Sequence, residues 1–443
     1  MKTTYTYSQI IKVAYPIFLM MLVQNLIQVL NTAFLGHVGD VELGASAIGG
    51  IYYIAMFTVA FGFSTGAQIL IGRRNGEKKY NKIGEIFLSG TVFLWILALF
   101  IFFFTRWSSQ SILTKLLHSP HVLAESIEYL NWRIGGLFFA CINVMFRAFF
   151  VGIVRTKVLT FNAICMALTN IFFDYVLIFG NWGFPKMGIS GAALASIISE
   201  AVSTGFFIIY TLLSVDLKKY GFKGIVWKNF RTIRKILNVS TSLMIQNFLS
   251  LSTWFLFFLA IEGMGETSLA VSNIIRSFYM IFGIQIFSLS ATASTLVSNC
   301  IGAGKSGEVI SLIRKIIRLT FSITLVVTLI LFLFPEPLLR IYTSNPELIR
   351  ESIPSLHVIL GVLLTLSVGN VFFQSVSGTG NTRWALVIEC STLSLYIFWI
   401  WLTTVHLKTP LFICWFAEWI YAFVLGLLSL LYFRHAKWQD KQI

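Results

Sequence analysis

Asp174 stands in an apolar stretch, 158–180, long enough to cross a hydrocarbon layer, and Asn170 lies one helical turn earlier on the same face. An ionisable group at mid-membrane costs about 2.5–3.5 kcal/mol on insertion scales, so its presence calls for a reason. In the stretch 13–35, Gln24, Gln28 and Asn31 recur at i, i+4 and i+7, a polar stripe on one helix face. Its upper member reaches about the depth of Asp174, roughly 9 Å below the outer end of the fifth helix. The stretch 188–213 adds Ser196, Ser199, Glu200 and Ser203. Facing inward, these stripes would make a polar cavity, with Gln24 and Glu200 as candidates for the wall that meets a substrate. Interhelical hydrogen bonding alone is the plainer account of the serines and Gln24. Asp174 is different: no cation on a neighbouring helix sits clearly at its depth, so its carboxylate is suited to exchange a proton. Asn170, Asn31, Gln28 and Ser196 would orient it. Sodium is the alternative ion, since amide oxygens and backbone carbonyls could complete its shell. No other metal and no organic cofactor is expected.

The second half carries its own charges. Arg276 and Glu418 lie at similar depth, roughly 12–14 Å from the outer side, and are expected to form a structural ion pair or, alternatively, to line a substrate cavity. Glu389, near the inner end of its helix, is expected to reach water. Motifs that suggest enzymes fit poorly. Gly62-Phe63-Ser64-Thr65-Gly66 has nucleophile-elbow spacing but lies inside an apolar helix, where close helix packing explains it better. Ser190 in Gly188-Ile189-Ser190-Gly191 would need a histidine partner to act as an intramembrane protease nucleophile, and only His357 and His406 are candidates. Gly304-Lys305-Ser306 lacks the leading glycine of a phosphate-binding loop. No catalytic residue is assigned.

The elements that must position these residues are spanning helices. With 57% hydrophobic and only 12% charged residues, the chain is far too apolar for a soluble core. Six spans fall near 13–35, 46–71, 86–105, 132–152, 158–180 and 188–213, and six more near 236–260, 268–298, 316–334, 356–377, 384–405 and 411–433. The chain also repeats itself at a shift of 226 residues: Ser64, Ala67 and Leu70 match Ser290, Ala293 and Leu296, and Phe146, Gly152 and Thr156 match Phe372, Gly378 and Thr382. An even number of helices per copy keeps both copies in one orientation. The expected fold is therefore an all-α integral membrane protein, twelve transmembrane helices in two parallel-repeat six-helix lobes. The lobes are expected at 1–217 and 236–443, joined by a basic linker, 218–235. Asp174 falls on Ile400 in the repeat and Asn31 on Phe257, which confines the coupling site to the N-terminal lobe.

Charge placement predicts sidedness. Arg73, Arg74, Lys78, Lys79 and Lys82, then Arg155 and Lys157, then the linker cations, Lys305, Arg314, Lys315, Arg383 and Arg434 all fall on one side when loops are counted alternately. Both termini should then be cytoplasmic, in a multi-pass protein of the cell (inner or plasma) membrane. The net charge of +15 is accordingly a topology signal, and no soluble basic domain is present to bind nucleic acid. Five cysteines at scattered spacings form no disulfide or metal framework.

The chain resembles the multidrug and toxic compound extrusion transporters over essentially its whole length. The resemblance rests on the first helix from Pro16 to Asn31-Thr32-Ala33-Phe34-Leu35-Gly36, the glycine-bearing second and eighth helices, and Asn170 to Asp174. It rests also on Met187-Gly188-Ile189-Ser190-Gly191-Ala192-Ala193-Leu194-Ala195-Ser196 and on Ser377-Gly378-Thr379-Gly380-Asn381-Thr382. It implies export of small amphipathic drugs, often organic cations, in exchange for protons or sodium, by alternating access of two lobes in the lipid bilayer. Pro16 would be the hinge of the first helix, and a monomer is expected. Members commonly carry an aspartate where this chain has Asn31, which shifts the weight onto Asp174. A lipid-linked oligosaccharide flippase of the same superfamily is the alternative, and an intramembrane serine protease the more distant one.

Overall fold

A computed structural model describes residues 5–117, 119–222, 230–439, 441 and 443, so residues 223–229 of the expected linker lie outside the described residues. Among the described residues, twelve helices are long and apolar enough to span a membrane. In chain order they are α1 (Tyr7–Gly36), α2 (Asp40–Gly76), α3 (Asn81–Lys115), α4 (Pro120–Gly152), α5 (Lys157–Phe179), α6 (Gly188–Ser214), α7 (Phe230–Glu262), α8 (Glu266–Gly302), α9 (Ser306–Leu333), α10 (Pro346–Gly378), α11 (Thr382–His406) and α12 (Leu411–His435). No strand occurs among the described residues. Several helices extend past the apolar stretches that announce them, because a hydropathy reading marks the hydrocarbon-crossing part and not the polar turns at each end. Large apolar side chains such as Phe100, Phe103 and Leu213 are exposed along α3 and α6, a surface only a hydrocarbon phase would accept.

The chain forms two compact units, one of Leu19–Met244 and the other of Met1–Phe18 with Ile245–Ile443. The boundaries fall inside α1 and inside α7. They are offset by the same 226 residues as the sequence repeat. Within each unit the repeat shows in atomic detail. A Cβ on Gly152 would approach the Gln68 carbonyl oxygen to 3.2 Å, and one on Gly378 would approach Ser294 Cα, 226 positions after Gln68, to 2.9 Å. Each glycine lets the end of the fourth helix of its copy press against the second.

In the Leu19–Met244 unit, α2 packs on the first turns of α7 through Gly62, where a Cβ would stand 2.7 Å from the Met244 Cα. That contact is what the small residues around Ser64 accomplish. The segment opening α6 does the same for α5: a Cβ on Gly191 would lie 2.7 Å from the Leu177 carbonyl. Gly180 ends α5 in the left-handed region, φ 74°, and its N–H closes on Val176. The other unit is filled by a large apolar cluster that includes Phe257, Tyr396, Ile400 and Trp415.

The cationic turn after α2 is ordered by Glu77, which bridges Arg74 at 2.7 Å and Lys79 at 3.1 Å. Partial burial pushes its carboxyl up, but hydrogen bonds from the two cations outweigh this and leave it below its usual range.

Candidate functional site

A cavity of about 310 Å³ opens in the Leu19–Met244 unit, lined by α1, α2, α4, α5 and α6. Gln24, Gln28 and Asn31 from α1, Asn170 from α5, and Ser196 and Glu200 from α6 all face it. Asp174 lies just behind this wall with none of its surface exposed. The Asn31 amide, oriented as its hydrogen bonds require, places its nitrogen 2.6 Å from Asp174 Oδ2, 2.8 Å from Asn170 Oδ1 and 3.1 Å from the Ile27 carbonyl. Asn31 thus ties α1 to α5 and stands between the carboxylate and the cavity. Asp174 Oδ1 has no hydrogen-bond partner among the described residues, and no basic side chain there forms an ion pair with Asp174. Gln28 and Ser196 line the cavity without a hydrogen bond to the carboxylate.

Sequence reasoning missed two arginines on α4. Arg133 forms a fork on Glu200, Nη1 to Oε2 at 3.1 Å and Nη2 to Oε1 at 2.6 Å, and lies 3.7 Å over the Tyr53 ring. The Tyr53 hydroxyl donates to the same carboxylate at 3.4 Å. Locally this is possible because α4 tightens into a 3₁₀ turn at Ile134–Gly136. A Cβ on Gly136 would collide with both the guanidinium and the carboxylate. The other is Arg147, also on the cavity wall, 4.7 Å from the centre of the Phe61 ring. Both could have been found by the argument that singled out Asp174, since each is a charge in an apolar span.

The remaining candidates lie in the other unit and do not line this cavity. Arg276 and Glu418 do not pair. Glu418 accepts from Trp254 Nε1 at 3.0 Å and from the Tyr396 hydroxyl at 2.8 Å, while Arg276 lies 5.1 Å over the Phe258 ring. Equal depth did not bring them together because each is held by different neighbours, Glu418 by two donors and Arg276 by an aromatic ring. Glu389 is fully buried and does not reach water; Ser250 donates to it at 2.5 Å and Tyr421 at 3.1 Å. Ser190, in the Leu19–Met244 unit, donates to Glu128 at 2.5 Å. At the repeat positions of Asn31 and Asp174, Phe257 and Ile400 are buried among apolar neighbours, Phe257 with its ring 4.8 Å from that of Trp415.

Twelve apolar spans in two copies, one of which holds a polar, partly charged cavity, are the architecture of a multi-pass membrane protein. The MatE family model matches residues 16–176 and 242–402, two segments offset by the repeat distance, and the chain belongs to that family. A probable multidrug resistance protein NorM of Thermotoga maritima is 27% identical over 384 residues, covering 86% of this chain and 82% of its own. Among solved structures, the outward-facing form of a multidrug resistance MATE family transporter of the MOP superfamily superposes with a TM-score of 0.89 at 18% identity, covering 98% of this chain and 96% of that one. A eukaryotic MATE transporter, AtDTX14, gives 0.88 at 19% identity with the same coverage. At these identities the structural likeness speaks to the fold.

Proposed function

We propose that the protein is a secondary active multidrug efflux antiporter that exports small amphipathic compounds in exchange for protons, with Asp174 as the proton site. It acts as a monomer in the cell membrane, both termini cytoplasmic, through alternating access. The observation that carries this reading is the chemistry around Asp174: a fully buried carboxylate whose protein partner is a neutral amide, with one oxygen left over to take a proton. Protonation removes a buried charge outright. Sodium is served less well, because Asn31 turns its nitrogen, not its oxygen, toward the carboxylate, and a hard cation needs several oxygens. Loss of the charge would loosen the Asn31 tie and let α1 bend near Pro16, so that an external proton biases one of two states. The multidrug assignment draws on the name carried by the Thermotoga relative.

Purified protein in vesicles, with a proton or a sodium gradient imposed separately, tests this. Efflux of a fluorescent cation should follow the proton gradient, and Asp174→Asn should abolish coupling. Transport driven by sodium at fixed pH, or a fully coupled Asp174→Asn variant, would refute the assignment.

A further inference from the structure

Of the two arginines on the cavity wall, one is spent and one is free. Both terminal nitrogens of Arg133 bond to Glu200, so that pair presents almost no net charge to a ligand. Arg147 has no ion-pair partner among the described residues. Its Nε is sealed from water without a hydrogen bond. The Phe61 ring beneath it stabilises the cation through one face only. A partly buried guanidinium on the cavity wall, with no ion-pair partner among the described residues, is a ready site for a carboxylate, phosphonate or sulfonate, which can accept two parallel N–H bonds.

We propose that Arg147 holds an anionic group of the transported compound, so the cavity takes small aromatic compounds that carry such a group beside a protonated amine. This deepens the antiporter reading and rests on the cavity being the transport site. The rest of the wall fits the same ligand. Tyr53, Phe57 and Phe61 recur along one face of α2, with neighbouring ring centroids 6.3 Å apart, and offer an aromatic row leading to the guanidinium. Gln24, Gln28, Asn170 and Ser196 line the same space. An amine placed there lies on the Asp174 side, where an incoming proton would compete with its charge. A compound whose only charge is positive gains nothing from Arg147 and binds more weakly than one that carries both charges.

The test compares Nε-dansyl-lysine, which has both charges, with its carboxamide, which keeps the amine alone. Binding to the purified full-length protein in lipid nanodiscs is followed by dansyl fluorescence. A charge-assisted bidentate contact predicts that the wild type binds the acid about tenfold or more tightly than the amide. Arg147→Met should bring that ratio to about one, and Arg147→Lys, which keeps the charge but not the fork, should fall between. Monodisperse Arg147→Lys keeps the test valid if the methionine variant fails to fold. A wild type without preference for the acid, one that binds neither probe, or a ratio unchanged in both variants would overturn the proposal. The vesicle experiment on Asp174 reads coupling of a permanent cation. Loss of proton coupling there with the acid preference intact rejects the proton site alone, and a flat ratio with coupling intact rejects the Arg147 assignment alone.

Discussion

Removing Glu200 and Arg133 together should destabilise the protein far less than the sum of removing each alone. The side chains are 11% and 7% exposed, Arg133 and Glu200 respectively, and joined by a 2.6 Å and a 3.1 Å bond. Breaking a buried pair by deleting one partner costs about 3–5 kcal/mol, because the survivor keeps its desolvation penalty. The two single variants should differ. Arg133→Met leaves Glu200 with the 3.4 Å contact from Tyr53 and the full penalty of a buried anion. Glu200→Gln leaves Arg133 over the Tyr53 ring at 3.7 Å, a contact worth about 2 kcal/mol when desolvated, so its cost should be nearer 2–3 kcal/mol. The double variant Arg133→Met with Glu200→Gln carries no buried charge. It should cost at least about 2 kcal/mol less than the sum of the singles. Equilibrium unfolding in detergent micelles, read by intrinsic fluorescence, gives the cycle. Additivity within about 0.5 kcal/mol, or an Arg133→Met variant as stable as wild type, would refute the reasoning.

Gly62→Val should lower thermal stability and the yield of folded protein, by about 1–3 kcal/mol or more, because its side chain would meet the α7 backbone at Met244 and not a movable side-chain end. Tyr396→Phe should cost about 1–3 kcal/mol by leaving Glu418 short of a donor, whereas Arg276→Met and Glu418→Gln should add independently in unfolding measurements. Glu77→Gln should lower stability modestly at neutral pH and not in acid. The folded carboxyl is held below its usual range, so its contribution is present above the ordinary carboxylate pKa and lost as pH falls through the folded value; thermal melts across pH read the convergence of variant and wild type.

The spans, the repeat and the polar stripes were legible because each leaves a pattern along one helix: length, period or spacing. Pairing between helices leaves none. Arg276 and Glu418 share a depth, which sequence supplies, but contact also needs the rotation of each helix about its axis, which depends on packing against the rest of the unit. Glu200 was legible as a polar cavity residue and its neutralisation by Arg133 was not, for the same reason. The break in α4 that makes room for that pair is written in Gly135 and Gly136, yet two glycines in an apolar span read equally well as helix packing. Asn31 was placed on the right face of α1, but the direction of its amide is fixed by Asp174 and Asn170 on α5 together with the Ile27 carbonyl.

Phe257 and Ile400, buried where the other copy has Asn31 and Asp174, also bear on ancestry. A duplicated gene begins with two equivalent halves, and whatever stood at those positions in the parent, the later half is now walled with aromatic and branched side chains where the earlier half keeps amide and acid. The two copies are specialised relatives and no longer spare parts for each other: a chimaera built from two N-terminal halves would carry the buried amide and acid twice, and one built from two C-terminal halves would lack them.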